Sequence, residues 1–310
     1  MSEQLITKYR PQSFDEVYGN ELAIRSLKTA LASDSRPHSY LFTGCSGIGK
    51  STLAKILAKE LDATVTQLDA ASNSSVEDTR RLVEISGYKP ITGKDNVVYI
   101  IEEAHNLSAK GFEPLLLLTE NARPWLYIIF CTTEPAKIPQ TIKTRSFHVN
   151  LKPLKPFDLT ELISTVAELE KWSLAPDVLT GIIQASEGSA RQALVVLQVG
   201  HECSSKEELS KIIETVESEE DPSAKLCQLL MKGSENWKQI SKLLEEIQGN
   251  EEETLIRSCR YVAKAITRSD ETQAAQFSKL LHAMTRFSTF DARVNLVAAI
   301  TWYLFGNVIF

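Results

Sequence analysis

The first half of the chain alternates between short apolar runs and amphipathic stretches. Three of the runs have strand length and are rich in β-branched and aromatic residues: 39–44, 96–104 and 126–133. Continuous apolar runs of this kind are typical of strands covered on both faces, as in a parallel sheet. Helical spacing of apolar residues follows over Ser51–Leu61 and Val76–Gly87. This alternation predicts an α/β fold with a doubly wound parallel sheet.

The pattern changes after the stretch 151–156, LKPLKP, whose two prolines predict a linker. Beyond it the strand-like runs largely stop, and apolar residues recur at spacings of three and four. Acidic, turn-like breaks occur at 217–223 and 249–253. The second half of the chain is therefore predicted to be helical.

The composition is that of an ordinary globular protein, with 310 residues, 43% hydrophobic and 24% charged. The net charge of −6 excludes a wholly basic nucleic-acid coat, so any DNA contact must be confined to a local basic face. None of the five cysteines belongs to a C-x-x-C pair, which gives a zinc site or a disulfide framework little support. A reduced, cytoplasmic compartment is the simpler interpretation.

The run 294–310 is nearly all apolar and raises the question of a membrane anchor. A spanning helix needs about 20 apolar residues, and this shorter run is interrupted by Asn295, Thr301 and Asn307. A buried terminal helix is the better interpretation. The polar N-terminus lacks the apolar run of a signal peptide, so no membrane association is expected.

The strongest motif is residues 44–51, GCSGIGKS, a complete G-x-x-x-x-G-K-[ST] phosphate loop between a predicted strand and a predicted helix. Glycines let successive backbone N–H groups point at phosphate oxygens, and the following helix adds the positive end of its dipole. Lys50 is expected to bridge the β- and γ-phosphates of ATP, and Ser51 to hold Mg²⁺. The residues predicted to surround the nucleotide phosphates are Gly44, Cys45, Ser46, Gly47, Ile48, Gly49, Lys50, Ser51 and Thr52.

Two carboxylates, Glu102 and Glu103, end the apolar run that begins at Val97. Beside a phosphate loop, the first is expected to orient Mg²⁺ and the second to polarise the attacking water. Paired acids after a strand are also common at solvated helix starts. Their position roughly fifty residues after a complete phosphate loop favours the catalytic interpretation.

These motifs stand among segments that resemble the ATPase subunits of sliding-clamp loaders, which are AAA+ proteins. The segments are 5–20, 68–82, 97–108, 131–139 and 187–194. Together with the phosphate loop they are similar to the gamma/tau subunit of the bacterial DNA polymerase III clamp loader and to the small subunits of replication factor C. The resemblance extends over roughly the first 200 residues.

The resemblance implies an AAA+ ATPase domain over 1–152, a helical lid over 153–204 and a helical collar for oligomerisation over 205–310. It also implies roles for single residues. Thr133 corresponds to a polar sensor of the γ-phosphate, and Arg191 corresponds to a second sensor that reaches the phosphates from the lid. The residues that match the segment beside the adenine are Tyr9, Arg10, Val17 and Tyr18.

Arg145 occupies the place of an arginine finger that completes the ATP site of a neighbouring subunit. Such a group contributes about 10³–10⁵ in rate when it acts in trans. Both neighbours of Arg145 differ from the Ser-Arg-Cys of the family.

Two further features depart from the family pattern. The segment 59–64 runs almost directly into 68–70, where gamma/tau subunits carry a four-cysteine zinc module, so a minimal or phage form is a reasonable guess. Glu102 stands where Asp is usual, which bears on Mg²⁺ geometry and turnover rate more than on nucleotide binding.

DNA contacts are predicted at two helix starts, because hydroxyls, free amides and a lysine suit backbone phosphates. The candidate residues are Ser74, Ser75, Ser108 and Lys110. For any single serine, ordinary helix capping is the simpler explanation. The apolar helix Gly111–Thr119 corresponds to a clamp-contacting region of the relatives, although core packing explains at least some of its leucines.

The predicted function is ATP hydrolysis in a loader that opens a sliding clamp and places it on primer-template DNA. The expected partners are the clamp, the DNA, and other loader subunits in a pentameric arc that includes at least one different chain. Two alternatives stay open: a non-hydrolysing structural subunit of the same loader, and another DNA-associated AAA+ ATPase such as a branch-migration motor or helicase loader. The intact phosphate loop argues against the first, and segments 68–82 and 187–194 argue against the second.

Overall fold

The structure is a computed structural model with two compact units, Met1–Leu209 and Ser210–Phe310. It describes residues 4–72, 76–88, 94–120, 123–220, 222–231, 237–247, 251–266, 271–286 and 292–305. The predicted three-part division at 152/153 and 204/205 stays a prediction.

A five-stranded parallel sheet forms the centre of the first unit. Its strands are β1 (Ser39–Thr43), β2 (Ala63–Asp69), β3 (Asn96–Glu102), β4 (Leu126–Thr132) and β5 (Phe147–Asn150). They lie in the order β2-β3-β4-β1-β5, and every pair is parallel. The three predicted strands are β1, β3 and β4, which occupy the middle of the sheet.

The edge strands β2 and β5 were not predicted, because neither is a continuous apolar run. Most of β2 is exposed or half-buried, and β5 has four residues of which only Val149 is buried. Parallel strands outside the middle of a sheet need less apolar surface. Their signal in the sequence is correspondingly weak.

Helices surround the sheet and continue beyond it in the first unit. They are α1 (Leu5–Lys8), α2 (Glu21–Ala32), α3 (Lys50–Glu60), α4 (Val76–Ile85), α5 (Ala109–Glu120), α6 (Gln140–Arg145), α7 (Pro156–Glu170), α8 (Pro176–Ser186), α9 (Ala190–Gly200) and α10 (Lys206–Glu220), the last of which contains the boundary between the units. Helices α3 and α4 match the two predicted between the strands. The linker 151–155 is not helical, and α7 begins at Pro156, whose ring suits the first turn.

Alternate residues of β1 enter two apolar clusters, one on each face of the sheet. Tyr40 and Phe42 pack in a cluster that includes Leu53 and Leu57 of α3. Leu41 packs in the other cluster, which includes Leu115 of α5. Burial on both faces explains why β1 is apolar throughout. It also fixes α3, and therefore the loop before it, against the end of β1.

The second unit is helical in every part that the structure describes. Beyond α10 it contains α11 (Pro222–Met231), α12 (Trp237–Glu246), α13 (Glu251–Ile266), α14 (Glu271–Arg286) and α15 (Ala292–Phe305). Leu296 and Ile300 of α15 are fully buried in its apolar cluster, as predicted for a buried terminal helix. Within the described ranges, no helix is both long and apolar enough to cross a bilayer.

The predicted fold class, an α/β domain with a parallel sheet followed by a helical part, is thus confirmed.

Candidate nucleotide site

The phosphate loop lies between the end of β1 and the start of α3. Gly44, Gly47 and Gly49 all have positive φ angles, of 144°, 74° and 106°. A side chain is disfavoured in this region, so glycine is the residue that permits the loop to curl. The first turn of α3, with its free backbone N–H groups, therefore faces the space where phosphate oxygens are expected.

Lys50, the first residue of α3, is buried and folds back over the loop. Its Nζ donates hydrogen bonds to the carbonyl oxygens of Gly44 at 2.8 Å and Cys45 at 2.7 Å. Burial lowers the pKa of Lys50, while the nearby carboxylates of Glu103 and Glu102 act in the opposite direction. A buried ammonium that donates its hydrogen bonds to neutral carbonyls is a candidate for pairing with an anion.

Ser51 and Glu102 connect the phosphate loop with the end of β3. Ser51 Oγ donates to Glu102 Oε2 at 2.7 Å, and Gln67 Nε2 of β2 lies 3.4 Å from Glu102 Oε1. Glu102 is 8% exposed. Oxygen donors suit Mg²⁺, which is held by one or two protein groups together with phosphates and water. The chemistry of this pair fits the predicted magnesium site.

Glu103 follows β3 in a left-handed backbone conformation, with φ of 45°. That conformation is uncommon for a residue with a side chain, and such strain is concentrated at functional sites. Glu103 lines the same pocket as the phosphate loop, whereas Glu102 is bonded to Ser51. The two adjacent carboxylates therefore occupy different positions, as their predicted roles require.

Thr132, rather than Thr133, makes the polar contacts at the end of β4. The Oγ1 atom of Thr132 accepts a hydrogen bond from the backbone N–H of Glu134 at 3.0 Å and lies 3.2 Å from His105 Nδ1. Thr132 is fully buried, and Thr133 is half-buried just beyond the strand. The sensor role of Thr133 stays a prediction. The sequence assigned no role to His105, which lies within the segment 97–108.

The pocket continues from the phosphate loop to a second wall built from the chain's N-terminal segment. All four residues predicted beside the adenine, Tyr9, Arg10, Val17 and Tyr18, line it. Further lining residues come from both sides of the pocket: Ile6, Pro11, Leu53, Leu154, Leu162, Ala190 and Leu194. The pocket is thus apolar away from the phosphate loop, which suits a flat heterocyclic base.

Side-chain contacts hold the N-terminal segment against the helices that follow the sheet. Tyr9 Oη and Lys8 Nζ both donate to Glu170 Oε1 of α7, at 2.8 Å and 2.6 Å. Asn20 forms two hydrogen bonds with the backbone of Lys152, one as donor at 3.0 Å and one as acceptor at 2.8 Å. These contacts keep both walls of the pocket in place.

Arg191, in the first turn of α9, lies beside the phosphate loop. Its backbone N–H donates to the carbonyl oxygen of Gly47 at 3.2 Å, and the residue lines the pocket. The hydroxyl of Ser189 caps α9 by accepting from the N–H of Gln192 at 3.2 Å. The predicted second sensor is therefore at the phosphate end of the pocket.

Arg145 does not line this pocket. It ends α6, where its Nη2 lies 3.0 Å from Glu120 Oε1 of α5 and its Nη1 donates to the carbonyl oxygen of Thr141 at 3.3 Å. Its side chain is 39% exposed. A position away from the pocket of its own chain agrees with the predicted action in trans, which stays a prediction.

The candidate DNA residues are only partly described. Ser74 and Ser75 lie outside the described residues. Ser108 caps α5, because its Oγ accepts from the N–H of Gly111 at 3.1 Å. Lys110 is exposed in the first turn of α5. In the apolar helix Gly111–Thr119, core packing accounts for most large side chains, and Leu117 is the one most exposed, at 55%.

Within the described ranges, no group of three or more histidine, cysteine, aspartate or glutamate side chains is placed to hold a metal ion.

Sequence comparisons relate the chain to subunits of bacterial DNA polymerase III. A family model described as "DNA polymerase III, delta subunit" matches residues 62–155. The gamma/tau subunit of Mycobacterium tuberculosis is 35% identical in an alignment 219 positions long, which covers 62% of this chain and 38% of that subunit. The gamma/tau subunit of Mycoplasma genitalium is 30% identical in an alignment 275 positions long, which covers 81% of this chain and 46% of that one. The chain thus spans less than half the length of either relative.

The structural comparison shows the fold. The Holliday junction branch migration motor RuvB of Thermotoga maritima has a TM-score of 0.56 and 22% sequence identity, over 72% of this chain and 79% of that one. This likeness concerns the fold alone, because the sequence identity is low. The sequence matches confirm the predicted resemblance to clamp-loader subunits, and the structural match agrees with the predicted fold.

Proposed function

We propose that this chain is an ATP-hydrolysing subunit of a sliding-clamp loader, which opens the clamp and places it on primer-template DNA. The observation that carries the proposal is the placement of Lys50, Ser51, Glu103 and Arg191 around one pocket beside the phosphate loop. The similarity to gamma/tau subunits is the reason why we propose clamp loading as the process that uses this ATPase activity. ATP and Mg²⁺ are the proposed substrate and cofactor.

The phosphate end of the pocket has a separate group for each task of hydrolysis. Lys50 and the N–H groups of the loop bind the β- and γ-phosphates. The hydrogen bonds of Lys50 to the loop carbonyls keep its ammonium group beside the position of these phosphates. Ser51 and Glu102 would hold Mg²⁺, which neutralises phosphate charge. Glu103 accepts a hydrogen bond from the attacking water and polarises it. Arg191 adds positive charge from the lid, and Thr133 is proposed to contact the γ-phosphate or the water.

Completion of the site requires a second chain. Arg145 is proposed to reach the pocket of a neighbouring subunit, so ATP sites form only at subunit interfaces, in an arc of five chains. The helical segment 205–310 is proposed as the oligomerising part, the segment 153–204 as the lid and the segment 1–152 as the ATPase domain. Binding of ATP organises the arc around the clamp, and hydrolysis releases it on DNA.

The partners follow from the same proposal. DNA is proposed to contact Ser74, Ser75, Ser108 and Lys110, and the clamp to contact the exposed side of α5 near Leu117. The proposed site of action is the replication fork in the cytoplasm.

The decisive experiment measures the ATPase rate of the chain with its partner subunits, with and without primed DNA and clamp. The comparison is between the wild type and Glu103→Gln, which keeps the size of the side chain and removes its charge. The proposal is supported if DNA and clamp stimulate the ATPase rate of the wild type and if Glu103→Gln abolishes this stimulation while still binding ATP. ATP binding without hydrolysis in the wild type indicates a structural subunit instead. Hydrolysis that DNA stimulates without the clamp indicates another AAA+ motor.

A further inference from the structure

The carboxylate of Glu103 needs a support that its own backbone does not provide. Its side chain is 37% exposed and extends from a residue in a left-handed conformation at the end of β3. A carboxylate that polarises water must be held in one place, because small displacements from productive geometry cost a large part of the rate. The support must come from a neighbouring side chain.

The imidazole of His105 lies next to the carboxylate of Glu103. The Nδ1 atom of His105 lies 3.5 Å from Glu103 Oε2. The imidazole is 11% exposed and is therefore held inside the site rather than in solvent. The short 3₁₀ turn Ala104–Asn106, closed by the hydrogen bond from the N–H of Asn106 to the carbonyl oxygen of Glu103, brings the two side chains to one side.

His105 is itself fixed from the neighbouring strand. Its Nδ1 lies 3.2 Å from Thr132 Oγ1, and its Nε2 lies 3.5 Å from Glu134 Oε1. Thr132 is fully buried and is oriented by the N–H of Glu134, which donates to the same hydroxyl. Thr132, at the end of β4, is thus the more rigid of the two contacts of His105, because the side chain of Glu134 is half-exposed.

We infer that His105 is a positioning residue for Glu103, through which the end of β4 fixes the carboxylate against the phosphate loop. The ring contacts Glu103 and Thr132 with the same nitrogen, Nδ1. Loss of that nitrogen frees the carboxylate, whereas loss of Nε2 leaves both inner contacts in place. This role rests on the proposed function, because it concerns the rate of ATP hydrolysis.

The two ring nitrogens can be separated by substitution. Asparagine places an amide near the position of Nδ1, glutamine places one near Nε2, and alanine provides neither. His105→Ala and His105→Gln are expected to lower kcat by about 10- to 100-fold, as displacement of a reacting group does. His105→Asn is expected to restore most of the rate. The affinity for ATP is expected to stay within about twofold in all three, because His105 contacts no residue of the phosphate loop in the structure.

Thr132→Val provides a second, nearly isosteric variant that keeps the core filled. Thr132→Val is expected to lower kcat as His105→Ala does. The variant that carries both substitutions is expected to be no slower than either single variant, because both substitutions break the same chain of contacts from Thr132 through His105 to Glu103. His148→Ala, at an exposed histidine of β5 that does not line the pocket, is the matched control and leaves kcat unchanged. Thermal unfolding of each variant checks that the fold is retained.

The measurement is steady-state ATPase of the assembled protein with clamp and primed DNA, together with ATP binding of each variant. If the wild type hydrolyses ATP and His105→Ala hydrolyses it equally fast, the positioning role alone is overturned. Equal losses of kcat and ATP affinity also overturn it, since they indicate general damage to the pocket. A wild type that hydrolyses no ATP overturns the proposed function and this role together.

Discussion

The backbone N–H of Arg191 donates a hydrogen bond to the carbonyl oxygen of Gly47, so the first turn of α9 is bonded directly to the phosphate loop. The contact is close. A Cβ atom on Gly47 would collide with Ser189 Oγ and lie 3.3 Å from the Cβ of Arg191. The predicted phosphate loop and the helix that carries the predicted second sensor are therefore in direct contact at Gly47.

Gly47→Ala is expected to destabilise the nucleotide-free protein by about 1–3 kcal/mol more than Gly49→Ala, as overpacking does. Both glycines have positive φ, but a Cβ on Gly49 meets no atom within 4 Å. Chemical denaturation of the two variants measures the difference. Adding Ser189→Gly to Gly47→Ala is expected to recover part of the loss. Equal losses at the two glycines would show that backbone strain alone is responsible.

Lys50→Met is expected to lower ATP affinity by at least about tenfold, which corresponds to 1.4 kcal/mol. The reason is the loss of a buried ammonium that the structure holds beside the phosphate loop. ATP-induced stabilisation against heat reports the affinity. Lys55→Met, in the same helix and outside the pocket, is the control and retains the stabilisation. An undiminished thermal shift in Lys50→Met would contradict the assignment of the phosphate site.

Arg145→Ala is expected to leave ATP binding by the isolated chain unchanged and to lower the ATPase rate of the assembled loader by about 10³-fold or more. The side chain pairs with Glu120 and does not line the pocket of its own chain. Assemblies that contain both wild-type and Arg145→Ala chains test whether Arg145 acts at the ATP site of its own chain or at that of its neighbour. If only the site beside the variant chain is impaired, the arginine acts in trans. Impaired hydrolysis at the variant's own site would place it in cis.

Lys110→Ala is expected to weaken binding to primed DNA and to reduce the slope of log affinity against log salt by about 1, the effect of one lost phosphate contact. Lys110 is exposed in the first turn of α5. Lys28→Ala is a suitable control, because Lys28 is paired with Asp15 at 2.6 Å. Fluorescence anisotropy over a salt series measures both slopes. An unchanged slope for Lys110→Ala would count against contact with DNA there.

Glu170→Gln is expected to reduce stability at neutral pH and to have little effect in acid. The hydrogen bonds from Lys8 and Tyr9 hold the pKa of Glu170 below its usual value of 4.5. The ionised carboxylate is therefore favoured in the folded state, and its stabilisation is present above pH 4.5 and lost as the pH falls through the lowered pKa. Denaturation of both proteins across this range measures the difference. Glu168→Gln, at an exposed position of α7, is expected to show no such dependence.

The sequence by itself determined the elements whose signal is local. The glycines and the lysine of 44–51 form a contiguous motif, and the middle strands are continuous apolar runs because both faces of the sheet are covered. Glu102 and Glu103 were identified for the same reason, since they end such a run. Their order assigned Glu102 to Mg²⁺ and Glu103 to the attacking water, and these roles stay predictions. In the structure Glu102 is bonded to Ser51, whereas Glu103 lines the pocket.

Only the tertiary structure decided which distant residues complete the site. Leu154, Leu162 and Leu194 are ordinary apolar residues of a linker and two helices, and nothing in their spacing shows that they line a nucleotide pocket. The contact of His105 with Thr132 joins residues from the ends of two neighbouring strands, and the pairing of Arg145 with Glu120 joins two helices. Such contacts depend on how strands are ordered and helices packed, so no local pattern encodes them. The sequence thus predicted a phosphate-binding motif, and the fold determined which distant residues surround it.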